Sequence, residues 1–522
     1  MPRLASRSYL IILGVLALLL AWSRLSFPDL DHGDEYSDAN VLNAGENFAR
    51  LGFVACRFLP MFEPQAAAPH DLYTHYPPLP DIVNGLLRVV FRTDSLRFFR
   101  VVSILVSLLG LLFWTLFIRR ITSSDRVVFL AGLFYLSNPL FLFGFDSLHE
   151  SSYSECLRSL VFYLTAVIVG IPRGRRRVLL GAALVAAVGV TSLVTFEYVV
   201  YLSLFVALVG LSCVESSRRL SIRALLLVWL APVVGFALHV LQNVWYLGSV
   251  AAAATDLKTI AAERMLSSKD APGGTLTLGI WWNEILSRNV RLAFLFDPVV
   301  LAVVLIASLL AYRALSATSR REAAALAKLF LICFVCGISW YLIFPSHAWA
   351  HTYLLFLARH LVPAASLGFA LVASILLSFV RERLHSAWAP RAIVWTMVAV
   401  VVWSGIGASQ LPVTRGKIKS AREFIAFRDC LAHLKGVARD RDAVGVNFFR
   451  YPFIRYYTHR HVIAVFTPEM LEVPEPLPAY FVFIPYDNRD SRNLLVFLQR
   501  HYVPIFECQA GIFHSLFMER KR

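Results

Sequence analysis

"PRGRRR", residues 172–177, separates two apolar runs, 157–171 and 178–194. Such a cluster has two readings. One is a patch for an acidic partner such as nucleic acid, which the formal net charge of +16 would suit. The other is a cytoplasmic turn between membrane spans, where arginines hold short loops on the inner side. The flanks decide for the turn, because both approach the ~20 apolar residues that cross a bilayer. The whole chain agrees: 58% of its 522 residues are hydrophobic and 16% charged, where soluble domains carry roughly 25% charged residues. The fold class read here is a polytopic α-helical membrane protein, with no nucleic-acid partner.

Outward from this turn the pattern repeats. A first span centres on 11–20, preceded by Arg3 and Arg7, and no small-x-small cleavage site follows it, so it reads as an uncleaved anchor. Further spans are expected at 98–118, 127–145, 157–171, 178–194, 196–213, 222–240, 294–312, 327–345, 353–380 and 392–409, eleven in all. "RRITSSDR", "PRGRRR", "SSRRLSIR", "SATSRREAA" and "RERLHSAWAPR" follow every second span, and all five are short and arginine-rich. They place the N-terminus in the cytoplasm. The other side then holds a first loop at 23–96, an acidic loop at 146–156, a third at 241–293 and everything after 409. Residues 1–409 read as a membrane domain. Residues 410–522 read as a small extracytoplasmic α/β domain, from a helical "AREFIAFRDCLAHLKGV", short apolar runs such as "HVIAVF" and "AYFVFIP", and a helical "SRNLLVFLQRHY". Cys430 and Cys508 lie in that region, but spacing does not fix their pairing. Cys333 and Cys336 form a CxxC inside an apolar run, which reads as helix packing.

Chemistry concentrates on the outer side. "LDHGDEYSDANVLNAGENFARLGF", residues 30–53, gathers carboxylates just past the first span. Ala39, Leu42, Phe48 and Leu51 have helical spacing, so an acid here caps a helix start. Capping accounts for one carboxylate and not for the adjacent Asp34 and Glu35. "LYTHYPPLPDIV", residues 72–83, is a stiff segment carrying His75 and Tyr76, either a redirected chain or a pocket wall. "FPSHAWAHTYLLFLARHLVPAAS" brings His351, Arg359 and His360 into an apolar run. An arginine at that depth costs roughly 2.5–3.5 kcal/mol on insertion scales, so it faces a partner or a wet cavity. A structural ion pair is one such partner and a lipid phosphate the other, since a guanidinium matches phosphate oxygens with paired hydrogen bonds. A carboxylate base and a cation on one face suit transfer of a group away from a membrane-bound phosphate.

"DEYSDANVLNAGENFARLGF" followed by "YPPLPDIVNGLL" resembles the GT-C superfamily of integral membrane glycosyltransferases, in particular protein O-mannosyltransferases, aminoarabinose transferases and their bacterial relatives. "HTYLLFLARHLVPAASLGFAL" resembles their late span, and "YYTHRHVIAVF" the "YY-x-x-R" strand of bacterial members. The resemblance implies inverting transfer from a polyprenyl-phosphate sugar, at the outer face of the cell (inner) membrane, to a glycan, lipid or protein acceptor. It sets Asp34 on the catalytic acid and Glu35 beside it. Arg359 falls on a position that holds lipid phosphate, with His351 and His360 beside it in the same segment, and His75 and Tyr76 in the pocket. Glu150 and Glu155 are both candidates for a second-loop acid. The branches resembled most are metal-independent, so no cofactor is expected, although an acid pair could supply oxygen ligands to a divalent metal. A transporter or flippase is the competing class. It is opposed by the polar residues clustered at one rim and by the absence of an obvious internal repeat.

Overall fold

The structure, a computed structural model, describes residues 2–26, 35–64, 68–212, 220–265, 277–295, 306, 308, 310–345, 356–383, 388–409, 426–448, 451–471, 477–510 and 514–521. Among the described residues, seven helical segments are long and apolar enough to cross a membrane: Ser8–Ser26, Leu96–Ile121, Glu150–Gly170, Arg175–Val194, Ile222–Leu247, Ala317–Ile343 and Ala358–Arg383. Glu197–Leu211 is apolar but shorter, and Ala389–Ser409 is a further apolar helix of 21 residues. The chain is a multi-pass helical membrane protein.

Two of the eleven expected spans differ. The stretch 127–145 is two helices, α5 (Asp125–Ser137) and α6 (Pro139–Gly144). Pro139 has no N–H to continue the helix, and buried Asn138 caps the second piece by accepting from Leu140 N at 3.0 Å. The span expected at 196–213 is the shorter helix Glu197–Leu211, whereas the one at 392–409 lies within the 21-residue helix Ala389–Ser409. The one at 294–312 lies largely outside the described residues.

Two expected outer loops are also corrected. Residues 146–156 are not an open loop: α7 (Glu150–Gly170) begins inside them, with Glu150, Ser151, Ser152, Ser154 and Glu155 all buried. A run of small hydroxyls lets a helix pack closely and satisfies its own polar groups, as in the bond from Ser154 Oγ to Glu150 O at 2.7 Å. The loop expected at 241–293 is largely helical, since α10 (Ile222–Leu247) extends into it and α11 (Val250–Met265) follows. Its "SSKDAPGG" lies outside the described residues.

Between the first two spans lie α2 (Glu35–Leu51) and α3 (Leu79–Phe91). Ala39, Leu42 and Phe48 are buried along α2, as their spacing predicts. The C-terminal region is an α/β unit. Its sheet has the order β2-β1-β3-β5-β4, with strands Val444–Val446 (β1), Val462–Ala464 (β2), Tyr480–Phe483 (β3), Tyr502–Cys508 (β4) and Ser515–Arg520 (β5). The first three are parallel, and β5 runs antiparallel to β3 and β4. All five fall on apolar runs read from the sequence. One correction concerns "YYTHRHVIAVF": Tyr456 and Tyr457 belong to the helix Tyr451–Thr458, and the strand starts only at Val462. Cys430 and Cys508 form a disulfide that ties the helix 426–437 to the end of β4. One apolar cluster joins this unit to the front of the chain: Ala39, Val41, Leu42, Phe99 and Leu148 pack with Phe453, Ile454 and Val482.

Candidate active site

The membrane-embedded polar residues meet around a short 3-10 turn, Phe356–Leu361, which leads into the helix Val362–Arg383. It carries Arg359 and His360, 2% and 0% exposed. Two glycines let this turn seat deeply. A Cβ on Gly337 would lie 2.8 Å from His360 O, and one on Gly144 would lie 3.3 Å from an Arg359 guanidinium nitrogen.

Arg359 Nη2 lies 3.6 Å from Glu150 Oε1, in the first turn of α7, where the helix N-terminus favours a carboxylate. Tyr76 Oη donates to Glu150 Oε2 at 2.8 Å and lies 2.9 Å from Thr195 Oγ1. Tyr76 has one proton to give, so Thr195 is the donor in that second bond. Thr195 Oγ1 in turn accepts from Glu197 N at 3.3 Å. Glu197 Oε2 lies 3.9 Å from His360 Nε2, and the His360 ring stacks on Tyr198 at 4.5 Å. Neither ring nitrogen of His360 has a hydrogen-bond partner among the described residues.

Glu155 is placed differently. It accepts from Tyr135 Oη at 2.5 Å and Tyr198 Oη at 3.0 Å, and it pairs with Arg158. Arg158 Nη1 then donates to Arg359 O at 2.8 Å. Glu155 therefore fixes the backbone that presents Arg359, whereas Glu150 faces its guanidinium.

The entry to α7 is held from the first loop. Asp38, fully buried, accepts from Ser147 Oγ at 3.0 Å, Leu148 N at 2.8 Å and His149 N at 3.3 Å. Its other oxygen meets Arg100 Nη1 at 3.2 Å, and that guanidinium also pairs with Asp146. A carboxylate of the opening cluster thus sets the residues just before Glu150. Asp81, buried in α3, has an oxygen without a hydrogen-bond partner among the described residues. Burial pushes its carboxyl up to about 7, with His149 nearby acting the other way.

The residues read from sequence divide as follows. Tyr76, Glu150, Arg359 and His360 come together, with Glu155 beneath them. His75 does not join them: its Nε2 lies 3.7 Å from Asp256 Oδ1, on α11. Asp34 and His351 lie outside the described residues, and Glu35 is the first residue of α2. Arg158 and Glu197 were missed, although a charge inside an apolar run marks both, as it marks Arg359. Asp38 and Asp81 carry no such local signal.

No protein-family model matches the chain, and no curated protein matches it. Solved structures do. ArnT from Cupriavidus metallidurans bound to undecaprenyl phosphate superposes with a TM-score of 0.60 at 13% identity, covering 98% of both chains. The same protein in the apo state gives 0.53 at 13% identity, again over 98% of both. The chain shares the fold of that protein across nearly its full length.

Proposed function

We propose that the protein is a glycosyltransferase that moves a sugar from a polyprenyl phosphate to an acceptor, with inversion at the anomeric carbon. The observation that carries this reading is Arg359, buried in the bundle beside Glu150 and Tyr76. A buried guanidinium suits a phosphate that gains charge as its bond to the sugar breaks. The shared fold supports the donor class, since ArnT was solved with undecaprenyl phosphate bound.

In this reading the acceptor oxygen or nitrogen attacks the anomeric carbon, and its proton passes to Asp34. The sugar–phosphate bond breaks, and its electron pair stays on the phosphate oxygen facing Arg359. His351 and His360 assist at the phosphate, Glu35 orients the acceptor, and Tyr76 and Glu150 line the pocket with His75 at its margin. Glu155 supports Arg359 from below. Residues 1–409 form the catalytic membrane domain and 410–522 an extracytoplasmic domain. The Cys430–Cys508 disulfide supports that side, because disulfides persist in oxidising compartments. The five arginine-rich loops support a cytoplasmic N-terminus in the cell (inner) membrane.

The test is incubation of the purified protein with a panel of polyprenyl-phosphate sugars and acceptors, measuring released polyprenyl phosphate. Wild type releases it from at least one donor. Asp34→Asn loses about 10²- to 10⁴-fold in rate with little change in melting temperature or donor affinity. If wild type binds these lipids but releases nothing and carries them across vesicles instead, the protein is a flippase.

A further inference from the structure

In α3 the usual arrangement of a helix is reversed. One face carries Asp81, Asn84 and Arg88, at 4%, 4% and 5% exposed. The other side carries Leu86, Val89 and Val90, at 47–68% exposed, and Phe91 ends the helix at 57%. A helix that borders water turns its apolar stripe inward and its charges outward. The reversal is firmly held. Arg88 Nε donates to Asn84 Oδ1 at 3.1 Å, its guanidinium pairs with Asp94, and it lies over the Phe99 ring at 4.9 Å. Gly85 seats the same face against α2, where a Cβ would lie 2.8 Å from Phe48 Cβ. The polar residues therefore stay inside, and the apolar side faces out.

That outer side continues into the span α4 (Leu96–Ile121). The Phe91 and Phe98 rings meet at 5.0 Å across the turn, and Leu105, Leu109 and Leu112, at 48–55% exposed, carry the surface along α4. At the turn stand Arg92 and Arg97, both exposed and in no ion pair among the described residues. The carboxylate between them, Asp94, is taken by Arg88. Neither arginine sits where local preference would put it. Arg92 is a left-handed C-cap with φ 48°, a position that glycine fills without strain. Arg97 lies in the first turn of α4, where the helix dipole disfavours a cation. Two cations kept against local preference, at the edge of an apolar surface, fit an anion at the rim of an apolar phase.

We infer that α3 is an interfacial helix, with its apolar side among the acyl chains of the outer leaflet and Arg92 and Arg97 on the phosphate of an anionic phospholipid. Amphipathic helices of this kind bind by apolar burial together with charge, and a guanidinium matches phosphate oxygens with paired hydrogen bonds. The patch is continuous with the bilayer-facing side of a span, which favours lipid over a protein partner. Part of the first loop is then a membrane surface, and the segment from Tyr76 to Asp81 is anchored to it. The inference takes the outer side from the topology proposed above. It does not depend on the glycosyltransferase reading, since no measurement in its test uses turnover.

The test reconstitutes the full chain in phospholipid nanodiscs. A fluorophore is placed on Val90→Cys and, as a control, on Val496→Cys, 50% exposed on the C-terminal unit. Lipids spin-labelled on the acyl chain should quench position 90 and spare 496, and aqueous iodide should do the reverse. In native mass spectrometry, Arg92→Gly combined with Arg97→Ser should retain fewer phosphatidylglycerol molecules than wild type. Arg441→Gln, at an exposed arginine of the C-terminal unit, should retain as many. The double variant relieves a strained cap and a cation at a helix start, so its melting temperature in neutral detergent should hold or rise. The inference is overturned if iodide quenches position 90 as it does 496. A position 90 shielded from both quenchers, in a chain that cross-links as a dimer, would give that face to a second copy. Unchanged phosphatidylglycerol retention in the double variant, or a lower melting temperature in neutral detergent, would remove the headgroup contact. Displacement of the lipid by inorganic phosphate would assign the arginines to a soluble anion instead.

Discussion

Two buried arginine–carboxylate clusters lie close together in this protein, and they are built differently. Around Asp38 each oxygen is met by donors: Ser147, Leu148 and His149 on one, Arg100 on the other. Around Glu150 the partner guanidinium stands at 3.6 Å, outside hydrogen-bond distance. The first cluster holds three chain segments in register, at 38, 100 and 146–149. The second pairs its two charges without a direct hydrogen bond between them. Saturated burial favours a single geometry, whereas a loosely paired buried charge is costly unless something else compensates it.

Paired substitutions give the largest effect. Asp38→Asn leaves Arg100 paired with Asp146 alone and weakens charge-assisted hydrogen bonds from Ser147, Leu148 and His149, which are worth about 1.5–3 kcal/mol each. It should lower the melting temperature sharply. Glu150→Gln keeps its shape and its contact to Tyr76, and should cost turnover far more than stability. Equal losses of melting temperature in the two variants would erase the distinction between the clusters.

Arg359→Ala should reduce kcat/KM about 10²- to 10³-fold, the usual cost of removing a donor that stabilises developing charge. Arg359→Lys should restore only part of this, because lysine offers no paired fork. Donor titrations of all three proteins measure it, and unchanged donor dependence in both variants would make Arg359 a structural partner of Glu150.

Asp81 gives a pH signature. Its carboxyl is raised from 3.8 to about 7 by burial. Between those values the folded state holds a proton that the unfolded state has released. Stability therefore falls as pH rises from about 4 to 7 and levels off above it. Asp81→Asn should flatten this slope in melting curves, and a slope that survives the substitution would assign it to another group.

The smallest effect is expected at Gly337. Alanine gains up to about 1 kcal/mol of helix propensity but presses a Cβ to 2.8 Å from His360 O. Overpacking against backbone costs about 1–3 kcal/mol, so Gly337→Ala should be slightly less stable, with a displaced Arg359 read as weaker donor binding. A stabilised variant with normal binding would show that the turn yields without consequence.

The sequence is read most easily where a signal is local. The C-terminal strands stand out because short apolar runs alternate with polar turns, and Arg359 stands out because a charge interrupts an apolar run. Asp38 looked like one acid among several, because its partners lie at 100 and 146–149 and no spacing along the chain announces them. The buried entry to α7 was misread as a loop, because serines and glutamates resemble solvated surface until a helix places them inward. The break at Asn138–Pro139 was overlooked because hydropathy averages over it, although the proline itself was visible.

The Tyr36–Tyr451 hydrogen bond spans 415 residues. α2 is synthesised long before the segment that covers it. Ala39, Val41 and Leu42 share one apolar cluster with Phe453, Ile454 and Val482, so that cluster closes only after most of the chain has been threaded through the bilayer. During biogenesis this helix therefore waits with its apolar face uncovered, a period in which a chaperone can bind it or a protease can cut it. A chain ending after the last span would prolong that vulnerable interval indefinitely. This step of assembly doubles as quality control, because α2 is buried only once the C-terminal unit has been translated.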